Sequence, residues 1–132
     1  AILAGALAPA LIKYINKSRL STDIQTAQTV ATAIQTALSN EKAYDVAPTC
    51  TTTDLANFGT GSDSFSAEFQ SALGSAPGTI TGKAKKSADG TASMDQKFYV
   101  TLNPSTNVIQ VYSGGTGANY LAYPTVGSNL NQ

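Results

Sequence analysis

Residues 1–40 read AILAGALAPALIKYINKSRLSTDIQTAQTVATAIQTALSN, and their character changes once, abruptly, at Lys13. The first twelve positions carry no polar side chain, and KYINKSR follows directly. Beyond it, Leu20, Ile24, Ala27, Ala31, Ile34 and Leu38 recur at spacings of four and three, with Gln25, Thr29, Thr32, Gln35 and Thr36 between them. That is the stripe of an amphipathic helix burying one face. The pattern predicts one helix from the apolar start to about Ser39, rising about 58 Å at 1.5 Å per residue. A domain of this length is roughly 36 Å across. About half of such a helix therefore protrudes, and the protruding half is the apolar one.

An all-round apolar helix has no stable place in water, because each aliphatic side chain left exposed forgoes about 1.5–3 kcal/mol. It enters lipid or packs among other helices. Twelve residues rise about 18 Å, short of a hydrocarbon core of about 30 Å. The stretch also lacks the basic start and cleavage signature of a secretory signal, so it reads as the tail of a longer apolar segment that begins upstream. Ala1/Gly5, Ala4/Ala8 and Ala6/Ala10 are pairs of small residues four apart, the spacing that lets helix backbones approach closely. Pro9 lacks an amide proton and clashes with the carbonyl of Gly5, which predicts a bend or local unwinding there.

Outward from this helix, the 132 residues fit one domain. Eight basic residues balance eight acidic ones and only 12% of positions are charged, so no broad basic field exists to hold nucleic acid. The chain has no His and one Cys, which removes Ser-His-Asp, Cys-His and most zinc chemistries together. Cys50 has no partner for an internal bridge and reads as a small, structural apolar residue. GGTG at 114–117 lacks the Lys of a phosphate-binding loop. No enzyme, cofactor or metal is expected. The 42% apolar content argues against disorder, and a low-charge, hydroxyl-rich surface points outside the cell.

Residues 41–76 read as a loop with one embedded helix: Ser64 as N-cap, Phe65, Phe69 and Leu73 every four residues, Gly74 as the stop. Three strands are predicted after it, GTITGKA at 78–84, KFYVTL at 97–102 and NVIQVYS at 107–113. Phe98, Val100 and Leu102 alternate with Lys97, Tyr99 and Thr101, so an antiparallel sheet has one face covered, and the amphipathic helix is its natural cover. Tyr120 and Tyr123 are expected to pin the Gly- and Asn-rich tail to that sheet. The fold class is α+β.

AILAGALAPALIKYINKSR resembles the first helix of type IV pilins and related class III signal-peptide proteins. Pro9, Ala10 and Tyr14 fall on the family pattern, and the layout of helix, loop and sheet follows it over all 132 residues. The resemblance implies a long N-terminal helix packed on a C-terminal antiparallel sheet. Residues 1–19 would be a protruding segment kinked at Pro9, and residues 20–132 the head. It implies a structural subunit that polymerises through its apolar helix into an extracellular filament for adhesion or motility. The segment would sit in the cytoplasmic membrane before assembly. The implied partners are identical copies, the assembly machinery, a prepilin peptidase and an unidentified surface receptor, with no nucleic acid. About a dozen residues, including a methylated N-terminal residue and an assembly-directing Glu, would precede Ala1.

On that likeness Ile2, Leu3, Gly5, Leu7, Pro9, Ala10, Leu11 and Tyr14 form the helix-packing set, with residues 1–9 partly unwound in a filament. Lys13, Lys17 and Arg19 would meet lipid headgroups before assembly and carboxylates of neighbours, such as Asp23, afterwards. Tyr14 is open to an intersubunit contact or to packing within its own domain. Two departures stand out: the usual helix-breaking Gly aligns with Ala1, and the C-terminal region has no Cys pair. The rival readings are a pseudopilin of a type II secretion or DNA-uptake system and a membrane-anchored adhesin that never polymerises. For these, Lys83, Lys85 and Lys86 form the one basic cluster, read as a solvated strand edge. Asp63, Asp89 and Asp95 are the oxygens open to calcium, without the dense acidic loop that such sites use.

Overall fold

Helix α1 runs from Ile2 to Leu38 in the computed structural model of the chain, which describes the backbone of residues 2–131 and the side chains of residues 11–131. Leu20, Ala27, Val30, Ala31, Ile34 and Ala37 are buried along one face, as the three-and-four spacing requires. On the outward side, the hydroxyls of Thr22, Thr26, Thr29, Thr32 and Thr36 each donate to the carbonyl four residues earlier at 2.9–3.0 Å. These threonines satisfy themselves within the helix and need no tertiary partner. Asn40 then begins a second helix, α2 (Glu41–Asp45), its side-chain oxygen accepting from the Ala43 amide at 3.0 Å. This short helix lies inside the segment expected to be loop.

Helix α3 (Ser64–Leu73) is the embedded helix, with one correction at its start. The N-cap is Asp63 rather than Ser64, its carboxylate accepting from the Ser66 amide at 2.8 Å. A carboxylate there is favoured over a hydroxyl by the positive end of the helix. Gly74 ends the helix with left-handed backbone, φ 82°. Phe65 and Phe69 are buried and meet Phe58 edge-on, with ring centroids 5.7 and 5.2 Å apart. α3 packs against both α1 and α2. At Gly59 the backbone sits at φ 64°, and any Cβ would collide with the Phe69 ring, so the turn admits only glycine.

Four antiparallel strands form one sheet in sequence order: β1 (Cys50–Asp54), β2 (Phe98–Asn103), β3 (Val108–Ser113) and β4 (Leu121–Tyr123). The central pair matches expectation, with Phe98 opposite Ser113, Val100 opposite Val111 and Leu102 opposite Ile109. Phe98, Val100 and Leu102 are buried while Tyr99 and Thr101 are only partly covered, and α1 packs across β3 and β4 on the covered side. Tyr123 reaches α1, its hydroxyl accepting from Gln35 Nε2 at 2.8 Å. Of the two tyrosines expected to pin the tail to the sheet, Tyr123 joins it in β4 opposite Val111, whereas the Tyr120 hydroxyl donates to the Ser93 carbonyl outside it.

The outer strands differ from the sequence reading. β1 arises from the β-branched run Thr51–Thr53, which lies in the expected loop. A bulge between Cys50 and Thr53 places Thr52 at φ 39°, and its displaced amide donates to Thr101 Oγ1 at 2.8 Å. Residues 78–84, expected as a strand, form none. Pro77 opens a 3-10 turn through Thr79; the Gly82 amide then donates to the Gln96 carbonyl at 2.7 Å, and the next two amides go to a carboxylate on α1. A segment whose donors are consumed one by one by such partners has no ladder left to offer a strand.

Phe69→Ala is expected to lower stability by about 3–5 kcal/mol. Urea denaturation followed by far-UV circular dichroism measures it, with Phe69→Leu retaining more than half of the loss.

Candidate functional site at the apolar end of the long helix

Leu20 is the first buried side chain among the described residues, and α1 continues upstream of it to Ile2, a rise of roughly 27 Å. Between Leu11 and Arg19 no residue is buried. Leu11 is 56% exposed, Ile12 68%, Tyr14 75% and Ile15 47%. Four large apolar side chains within five positions thus spread over one side of the helix. Of the two settings open to Tyr14, packing inside its own domain is not the one adopted. The side chains of Ile2, Leu3, Gly5, Leu7, Pro9 and Ala10 lie outside the described ones. The backbone is α-helical through Pro9, so the local unwinding expected there is absent from this structure.

Seven residues apart on the same face of α1, Asn16 and Asp23 grip one segment of the head. Asn16 Nδ2 donates to the Ser87 carbonyl at 3.2 Å. Asp23 accepts from the Lys83 amide at 2.7 Å and from the Ala84 amide at 3.0 Å, one on each carboxylate oxygen. Asp23 is only 1% exposed. This corrects its expected role: it is not a surface charge for a neighbour's cation but an internal clasp. Burial raises the pKa of its carboxyl above the usual 3.8, against the opposing pull of the two amides and of the Lys83 and Arg19 charges.

Beyond the clasp, Ser87 Oγ, the Thr91 amide and Thr91 Oγ1 all donate to Asp89 Oδ1 at 2.6, 3.0 and 2.7 Å. These donors hold the Asp89 carboxyl down at about 2, led by the Ser87 hydroxyl. Ala88 donates to the Asn129 carbonyl at 2.7 Å. The loop is thereby fixed from both sides, and it presents Lys85 and Lys86 toward α1. A groove of about 740 Å³ lies between them. Ile12, Ile15, Lys13, Lys17 and Arg19 form its helix wall; Lys85, Lys86 and Asp89 form the other. Lys85 and Lys86, expected on a strand edge, line this groove, Lys86 from an isolated antiparallel bridge with Ser93.

The remaining candidates are placed elsewhere. Asp63 caps α3, and Asp95 accepts from the Lys97 amide and from the Tyr99 hydroxyl, the second bond pushing Tyr99 up to about 12. Among the described residues no group of three or more acidic, Cys or His side chains is arranged to hold a metal ion. Cys50 is half-buried in β1 with Sγ 3.6 Å from the Val100 carbonyl. The two-walled groove was not visible as a unit in the sequence, because its halves are some seventy residues apart and are joined by the contacts of Asn16 and Asp23. No known protein family, curated protein or solved structure matches the chain.

Asp23→Asn supplies one acceptor where two amides need one each and turns an NH2 group toward a donor, a loss of about 1–3 kcal/mol at pH 7. The raised folded-state pKa means that the wild type takes up its proton more readily when folded, so this residue's contribution is greatest at and below pH 3.8 and declines as pH rises through the folded value. The stability gap between wild type and variant is therefore expected to widen on acidification from pH 7 toward 4, as read by urea midpoints across that range.

Proposed function

We propose that this chain is the structural subunit of a filament and that its α+β architecture is that of the type IV pilins. The observation that carries the reading is the solvent-facing set Leu11, Ile12, Tyr14 and Ile15 on a helix that continues well past its own head. Each aliphatic side chain gains about 1.5–3 kcal/mol on leaving water. Identical helices stacked along an axis give every subunit that gain repeatedly, which is cohesion without chemistry. The polar, self-satisfied Thr face of α1 and the sheet remain with the head.

Before assembly, the apolar end lies in the cytoplasmic membrane. Among the described residues no helix is long and apolar enough to cross a membrane. An assembly machine then draws subunits from the bilayer into an extracellular fibre. The unwinding that Pro9 favours belongs to that assembled state, where a neighbour's backbone replaces the lost helical hydrogen bonds. No catalytic step is required of any residue.

Leu11→Lys with Ile15→Lys is expected to abolish surface fibres while the head stays within about 0.5 kcal/mol of the wild type, since both side chains are already exposed. Cryo-electron microscopy of sheared fibres from wild-type cells should show this chain repeating along them. Undiminished fibres from the double variant defeat the reading.

A further inference from the structure

Five of the eight basic residues of an electrically neutral chain converge on the groove between α1 and the 85–90 loop, and Asp89 is the only acid that lines it. Among the described residues the one ion pair is Lys97 with Asp54, at 3.8 Å and outside the groove. None of the five groove cations has a carboxylate within salt-bridge reach. Lys86 Nζ has only the Ser93 hydroxyl, at 3.5 Å. With five cations against the single lining carboxylate of Asp89, and none of them ion-paired, the local potential is raised and self-repulsion is costly unless a further anion shares the space. The walls do not relax that repulsion by moving apart, because the Asp23 and Asn16 contacts hold the loop to the helix.

What kind of anion is decided by the rest of the surface. Ile12 and Ile15 belong to the groove wall itself, and Leu11 and Tyr14 are exposed beside it. Cations directly adjoining large apolar side chains on one helix segment match a membrane interface, with phosphates at one level and acyl chains just below. A strand of nucleic acid would leave the apolar set in water. So would an acidic peptide bound in the groove alone. A volume of about 740 Å³ lies within the range of small-ligand pockets, roughly 300–1,000 Å³. We infer that the groove is a binding site for the anionic phosphate headgroups of a bilayer surface, with Lys85 and Lys86 closing from the head what Lys13, Lys17 and Arg19 open from the helix. The site seats the head on the membrane with α1 entering the interface at Leu11. It rests on the reading of α1 as membrane-bound before assembly, and adds the head loop as the second half of the contact.

The experiment is flotation of the full chain with phosphatidylglycerol-containing and with pure phosphatidylcholine vesicles at physiological salt. Lys85→Ala with Lys86→Ala is compared with Lys42→Ala with Lys97→Ala, which removes the same charge away from the groove. Loss of the loop pair is expected to weaken binding to the anionic vesicles by roughly 30-fold, at about fivefold per cation. The control pair and all binding to phosphatidylcholine stay unchanged. An equal loss from both pairs, or equal wild-type binding to both vesicle types, overturns the site. So does a loop variant that floats normally but assembles fewer fibres, which would make the groove an interface between copies. So does inorganic phosphate shifting the Ser87–Gly90 amides without competing for vesicles. Normal fibre assembly by a loop variant that has lost anionic-vesicle binding supports the site, and absent wild-type fibres with intact headgroup binding count against polymerisation alone.

Discussion

The carboxylate of Asp23 accepts two consecutive backbone amides at a position of α1 where the helical stripe calls for an apolar side chain. A buried carboxylate is costly unless its lone pairs are met. Here the donors are main-chain groups of Lys83 and Ala84, which would otherwise need partners of their own. The helix and the loop therefore satisfy one another. From that exchange follow the path of residues 82–87, the absence of a strand at 78–84, and the placement of two lysines beside the exposed end of the helix.

α1 meets two different surroundings along its length. From Leu20 to Ala37 its small and aliphatic residues lie against β3, β4 and α3, with alanines at 27, 31, 33 and 37 allowing close approach of sheet and helix. From Leu11 to Ile15 the same helix turns large apolar side chains toward solvent. The head fills only the distance that its own strands can cover, because β2 and β3, at six residues each, span about 20 Å. A helix of 37 residues rises about 55 Å. The excess length is what leaves the Leu11–Ile15 end of the helix uncovered by the head.

Little of the head's rigidity depends on surface charge. The aromatic trio Phe58, Phe65 and Phe69 and the strand residues Phe98, Val100 and Leu102 are almost wholly buried, and the one ion pair among the described residues is a long, solvated contact. Positive charge is concentrated instead along the groove, which five of the eight basic residues line. That segregation, in a chain of zero formal charge, is a property of the fold and invisible to composition.

Periodicity alone was enough to read α1, the α3 helix with its Gly74 stop, the paired strands around 98–103 and 108–113, and the covered face formed by Phe98, Val100 and Leu102. Each of these is a local pattern whose spacing equals the repeat of the element it forms. The cations of α1 and the exposure of Leu11 were legible from the abrupt change at Lys13, whereas the setting of Tyr14 was left open by the sequence. β1, α2 and the fate of residues 78–84 were not, since Thr51–Thr53 pairs as a strand with β2 alongside, and GTITGKA spends its backbone on a 3-10 turn, on Gln96 and on Asp23. The meaning of Asp23, a surface charge in the sequence and a buried clasp in the fold, was settled by a contact across sixty residues. No local spacing encodes such a contact, and it is tertiary structure that turned two separate basic runs into one groove.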